Sequence, residues 1–237
     1  MTRRALRPKT GLPKHAAVFS NHILRRLSPA DREALLAAAE YLRLPVGQTL
    51  ARATDPISTV YFPESGAISL VSEMTTGHQV AVAALGQESV VGIGALFSNQ
   101  RYTHNLVVLV ESQGFQITAA SFHRMFQQSE TFRWIVLEHI GRRMGELTTA
   151  AACNRVHSHR QRLARWLLMT TDKAKQQSLR VTHEALAQMV GGPRHAVTVA
   201  LNELRVRGAI AHLRGRIDVL DRSVLVAQSC ECYTRSV

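Results

Sequence analysis

The stretch Thr182–Gly208, THEALAQMVGGPRHAVTVALNELRVRG, holds two amphipathic patterns separated by Gly191, Gly192 and Pro193. Thr182 can cap a helix whose apolar face is Ala185, Leu186, Met189 and Val190, and Gly191 supplies the permissive backbone that ends it. Pro193 suits the first position of a second helix, where its missing N–H costs little. At ~100° per residue, Val197, Ala200, Leu201 and Leu204 share one flank of that helix. Arg194, His195, Thr198, Asn202 and Arg205 share the other. Two helices about a tight glycine turn make a helix-turn-helix, a unit whose second helix enters the major groove of double-stranded DNA.

The residue types on the polar flank suit that role. Arginine matches guanine O6 and N7 bidentately, so Arg194 is the first candidate base reader; His195 and Asn202 can bond base edges, and Thr198 and Val199 can meet a thymine methyl. Arg205 is better placed for phosphate. Immediately after, AIAHL from Ala209 and RIDVL from Arg216 flank Arg214 and Gly215. Two short alternating runs around a glycine read as a hairpin wing, with Arg214 and Arg216 available to phosphate. An ordinary helical hairpin with a solvated polar face is the alternative, and the Gly-Gly-Pro turn, the basic segment and this hairpin wing stand against it.

Charge supports the DNA-binding reading. The chain has 237 residues and a net charge of +12. From Gly141 onward there are 16 Lys and Arg against 7 Asp and Glu, whereas residues 21 to 140 hold 8 against 10. A near-neutral body joined to a basic C-terminal third is the electrostatic footprint of a nucleic-acid binder. Arg3, Arg4, Arg7, Lys9 and Lys14 make residues 1–20 a basic arm. No apolar run is long enough for a membrane helix, and no apolar segment follows the arm, so neither a membrane span nor a secretory signal is expected. Three cysteines, Cys153, Cys230 and Cys232, are too few for a disulfide framework, which points to a reducing cytoplasm. The Cys230-Glu231-Cys232 end reads as a frayed tail, or else as a redox or metal pair; no metal or other cofactor is expected.

Toward the N-terminus, Ser28 to Leu42 read as a short helix capped by Ser28. Beyond Pro45 come short apolar runs, from Ser58, Ala67, Gln79, His104 and Phe115, divided by ESG, TTG, LGQE and QG. Strands of that length between glycine turns suggest an antiparallel roll. Helical character returns at Ala119. From Glu130 to Arg155, Leu137, Ile140, Met144, Leu147 and Ala151 recur at three- and four-residue steps, a heptad stripe that suits dimerisation.

With these residues in view, Val181 to Ile210 resembles the winged helix-turn-helix of the Crp/Fnr family of bacterial transcription regulators. The match runs through Thr182, Glu184, Leu186, Ala187, Val190, Gly191, Arg194, Val197, Leu201, Leu204 and Gly208. His195 departs from the glutamate usual there, and Val199 from a frequent arginine. The resemblance implies an α+β architecture: a cyclic-nucleotide-binding-like β-roll (residues 21–125), a long dimerisation helix (126–156), a winged helix-turn-helix (157–225) and a tail (226–237). It implies a DNA-binding homodimer that reads a palindromic operator and meets RNA polymerase, and no enzyme. It also places a degenerate effector pocket at Gly92, Ile93, Arg101, Tyr102 and Thr103. Ile93 stands where the ribose-binding glutamate belongs, and Tyr102 where the phosphate-binding arginine belongs. The effector is therefore expected to be something other than a standard cyclic nucleotide, or absent. A one-residue shift that restores Arg101 would instead give a cyclic-nucleotide-responsive regulator. His78 or His104 could serve as a haem ligand, although a histidine in a strand turn is more simply solvated. A signalling module whose winged helix makes protein contacts would carry the same pattern, and salt-dependent retention on heparin separates it from a DNA binder. An oxidoreductase using Cys230 and Cys232 would need a cofactor motif, and none accompanies them.

Overall fold

The Ser28 hydroxyl accepts the Asp31 amide at 3.1 Å and so opens α1 (Pro29–Ala38). The helix stops at Ala38, short of the expected Leu42, because the residues that follow alternate. Leu42 and Leu44 are buried and Arg43 is exposed, which is the two-residue period of strand β1 (Glu40–Leu44). This computed structural model describes residues 19–97, 101–213 and 215–234. Most of the expected arm, with Arg3, Arg4, Arg7, Lys9 and Lys14, lies outside the described residues. Its boundary at residue 20 does not hold, since Phe19 is buried with its ring edge-on to Phe115.

After β1 come β2 (Thr49–Ala51), β3 (Thr59–Glu73), β4 (Gln79–Leu85) and β5 (Asn105–Thr118). They form one antiparallel sheet in the order β1-β5-β3-β4, with β2 also on β5. The roll is as expected but its strands are longer. The runs from Ser58 and Ala67 are one strand of 15 residues, and those from His104 and Phe115 one of 14. The glycines between them are crossing points, not turns. A Cβ on Gly66 would lie 2.1 Å from the Glu111 carbonyl oxygen, and one on Gly114 would lie 2.2 Å from that of Phe62. The register between β3 and β5 shifts on both sides of Ser65, the bulged geometry that glycine permits.

Thr118 caps α2 (Ala119–Gln128) and Ser129 caps α3 (Glu130–Val156). Phe132, Ile135, Val136 and His139 form the buried face of α3, with Phe132 edge-on to Phe122 of α2. A capping box of Ser158 and Gln161 then starts α4 (His159–Ala174). The remaining elements are β6 (Ser178–Arg180), α5 (His183–Val190), α6 (Arg194–Val206), β7 (Ile210–Leu213), β8 (Arg216–Val219) and α7 (Arg222–Gln228). Their core comprises Leu163, Leu167, Leu186, Leu201, Leu204 and Ile217 among others, and it takes in Ala67 and Val110 of the roll. Among the described residues, no helix is long and apolar enough to cross a membrane.

Candidate nucleic-acid interface

Thr182 accepts the Ala185 amide at 3.1 Å and starts α5, and Gly191 ends it at φ +68° with its N–H on the Ala187 carbonyl. A Cβ on Gly192 would come within 2.2 Å of His159 Nε2, so that imidazole packs over the turn and would have to move aside for a larger residue. Pro193 is the N-cap of α6 and not its first residue, with extended backbone at φ −68° and ψ 146° and no side-chain cap. Arg194 therefore opens the helix, at an end whose amides and dipole favour an anion.

Arg194, His195, Val199, Asn202 and Arg205 are exposed on α6, while Val197, Ala200, Leu201 and Leu204 are buried. Thr198 departs from expectation. Its hydroxyl donates to the Arg194 carbonyl at 3.1 Å and sits 3.3 Å from His183 Nδ1. Half-buried and turned toward α5, it supports the helix instead of presenting itself with its neighbours. His183 in turn stacks on His212 of β7, ring centroids 4.6 Å apart and Nε2 atoms 2.8 Å apart. This Thr198–His183–His212 chain ties α6 to the wing. The sequence hides it because the contacts join three elements.

The wing has three strands in the order β6-β8-β7, one more than the hairpin expected. Arg216 is exposed and bonds Asp218 at 2.8 Å. Arg180 of β6 lies directly opposite it, so two exposed arginines share one side of the sheet. Asp218 offsets one of these two like charges, and the exposed arginine pair can meet a phosphate. The sequence hides Arg180 because β6 is too short to announce itself. Arg214 lies outside the described residues. Behind the turn, Arg162 donates to the Asn154 carbonyl at 3.0 Å and the Gly191 carbonyl at 2.9 Å, linking the end of α3 to the helix-turn-helix.

Two family descriptions match the chain. The cyclic nucleotide-binding domain covers residues 41–129 and the Crp-like helix-turn-helix domain residues 161–227. The chain belongs to the Crp/Fnr family. It is thus a DNA-binding transcription regulator and not an enzyme. The global nitrogen regulator of Synechococcus elongatus is 25% identical to it, over 77% of this chain and 86% of that one. The CRP-like protein Clp of Xanthomonas campestris is 24% identical, over 79% and 86%. Among solved structures, a CRP-family transcriptional regulator from Thermus thermophilus superposes with a TM-score of 0.67 at 21% identity, over 79% of this chain and 95% of that one.

In this Crp/Fnr roll, Gly92, Ile93, Arg101, Tyr102 and Thr103 do come together around one cleft of about 360 Å³. Ile57, Leu70, Leu85, Val90 and Leu106 make most of its wall apolar. Gly92 has φ +89°, and a Cβ there would strike the Thr59 carbonyl at 2.6 Å. The Arg101 guanidinium donates to the Thr54 carbonyl at 2.7 Å, and burial pushes the Tyr102 phenol up to about 12. His104 lines the same cleft with its Nδ1 2.7 Å from Thr103 Oγ1, and His78 is exposed.

On α3, Leu137, Met144, Leu147 and Ala151 are exposed, as a partner face needs. Ile140 of the same stripe is half-buried and also packs against the roll core. Trp134, 64% exposed, lies beside Leu137 and extends the exposed face. The C-terminal end departs from the frayed tail expected. Helix α7 crosses the boundary expected at residue 225, and Asp221 caps it. Beyond it, Cys230, Cys232 and Tyr233 are buried, with the Tyr233 hydroxyl on Asp172 at 2.8 Å.

Proposed function

We propose that the protein binds a two-fold symmetric operator as a homodimer, joined along α3, with α6 of each copy in the major groove. The observation that carries this reading is the division of α6 into a buried apolar flank and an exposed flank of Arg194, His195, Val199, Asn202 and Arg205. Arg194 reads a guanine, His195 and Asn202 bond base edges, and Arg205, Arg180 and Arg216 hold phosphates. The partner face of α3 consists of Trp134, Leu137, Met144 and Leu147, and Gly141 and Gly145 allow close approach, since nothing lies within 4 Å of a Cβ placed on either. RNA polymerase is the further partner.

The effector is something other than a standard cyclic nucleotide. Ile93 offers no side-chain acceptor to a ribose hydroxyl, which would be left unpaired on burial, and the Arg101 guanidinium is bonded to backbone. Selecting random duplexes on the purified protein is expected to enrich an inverted repeat with half-sites about one helical turn apart. An unstructured or single half-site sequence would sink the dimeric reading. Calorimetry with cyclic AMP is expected to show no binding tighter than millimolar.

A further inference from the structure

Near the joint between α3 and α4, four metal-ligating side chains from the two ends of the C-terminal half converge. Cys153 and His157 are four residues apart, so the last turn of α3 and the residue that caps it carry both on one face. Cys230 and Cys232 follow α7. Cys153 Sγ lies 3.5 Å from Cys230 Sγ, and Cys232 Sγ lies 3.7 Å from His157 Nδ1. One ligand atom from each of the four residues fits within a mutual separation of 4.8 Å.

We infer that Cys153, His157, Cys230 and Cys232 form a closed tetrahedral site for a thiophilic divalent cation, zinc. Two of the separations, Cys153 to Cys230 and Cys232 to His157, are close to the edges of such a tetrahedron, and the others, all within 4.8 Å, would close on metal binding. With Zn–S near ~2.3 Å and Zn–N near ~2.0 Å, its edges are about 3.8 Å between sulfurs and about 3.5 Å between sulfur and nitrogen. Three thiolates and one imidazole are an established structural donor set for this ion, and hard cations such as magnesium or calcium prefer oxygen. A cluster of several irons would set its thiolates farther apart than these. All three cysteines are buried, which leaves no open position for a substrate and makes the site structural.

The orientation of the imidazole is the second, independent sign. Nδ1 faces Cys232, while Nε2 lies 3.2 Å from the Glu231 carboxylate. A metal-ligating histidine characteristically donates its other N–H to a carboxylate, which selects the tautomer and holds the ring in place. A disulfide between Cys153 and Cys230 would leave the third thiol, the imidazole and this carboxylate without a shared purpose. The metal would staple the segment after α7 to the end of the proposed dimer helix. The inference is independent of the effector and of the operator.

The full-length protein, reduced and stripped with a chelator, is titrated with Co²⁺ alone and then with Zn²⁺ alone. One equivalent of Co²⁺ is expected to give tetrahedral d–d bands with thiolate charge transfer, and Zn²⁺ to displace it. The double variant Cys230→Ser/Cys232→Ser should lose that spectrum. It should keep its far-ultraviolet circular dichroism, because Tyr233 and Arg222 still tie this end of the chain to Asp172. Glu231→Gln is expected to weaken zinc about 10- to 100-fold without abolishing it. A pale octahedral cobalt spectrum, uptake that survives the double variant, or a reduced protein that takes up no zinc would overturn the site. In the last case the cluster is a small apolar packing unit or a disulfide pair.

Discussion

An arginine at the first turn of a recognition helix and an arginine on a wing strand meet DNA in different ways, and their alanine variants should fail differently. Arg194→Ala is expected to cost ~1 to 3 kcal/mol on the selected operator and to relax the preference at one position of each half-site. Arg216→Ala should weaken all duplexes alike and lower the salt slope by about one unit, since a phosphate contact carries no sequence information. Band-shift titrations on operator and random duplex separate the two, and equal losses on both for Arg194→Ala would remove it from base reading. A different residue controls stability. His139 is 2% exposed, and its Nδ1 has no hydrogen-bond partner among the described residues. Burial, and then the charges of Arg142 and Arg143, hold its imidazole down at about 4. Folded His139 stays neutral while the unfolded chain takes up the proton below about 6.5, so stability falls as pH drops through 6.5 toward 4. The loss is about 2 kcal/mol between roughly pH 7 and pH 5. Urea midpoints should show it, and His139→Leu should flatten it. Arg194 is legible in the sequence because helical periodicity alone puts it beside Asn202 and Arg205. The inward turn of Thr198 is not, since only the tertiary fold brings His183 to it.

Among the elements, α3 serves two surfaces at once. Phe132, Ile135, Val136 and His139 bind it to the roll, and the next face round carries Trp134, Leu137 and Met144 to solvent. Charging that second face leaves the first untouched. Leu137→Glu with Met144→Glu is therefore expected to yield a folded monomer with weakened operator binding, each half-site alone making too few contacts. Sedimentation showing an unchanged dimer would place the interface elsewhere. The heptad stripe is readable because spacing along one helix is local, but spacing does not show that Ile140 also meets the roll core, because an apolar residue does not declare which neighbour it meets. The long strands are hidden for a related reason. Gly66 and Gly114 look like turn residues by composition, and only the close passage of β3 across β5 shows them to be places where a side chain has no room.

Across the whole molecule, Glu88 after β4 and Lys173 of α4 fasten the roll to the DNA-binding part at 2.6 Å. Burial alone would raise the Glu88 carboxyl, but Lys173 more than offsets it and holds the group at about 2. A carboxyl depressed below its ordinary 4.5 stabilises above that value and loses its contribution as pH falls toward 2. Lys173→Met strands a buried carboxylate and is expected to cost about 3 kcal/mol, with the double variant Lys173→Met/Glu88→Gln losing less. Urea titration and hydrogen exchange along β4 check both; equal losses would mean that the pair is incidental. The class of this protein is written in its local patterns: the roll, the helix that follows it and the helix-turn-helix, together with Arg194, His195, Asn202 and Arg205 on one flank. Those follow from side-chain periodicity and turn chemistry, which act within a few residues. The Arg180–Arg216 pair, the histidine stack under α6, the Glu88–Lys173 tie and the meeting of Cys153 and His157 with Cys230 and Cys232 come from the tertiary fold. Each of these joins elements distant along the chain, and their approach depends on how whole faces pack, which no local pattern records.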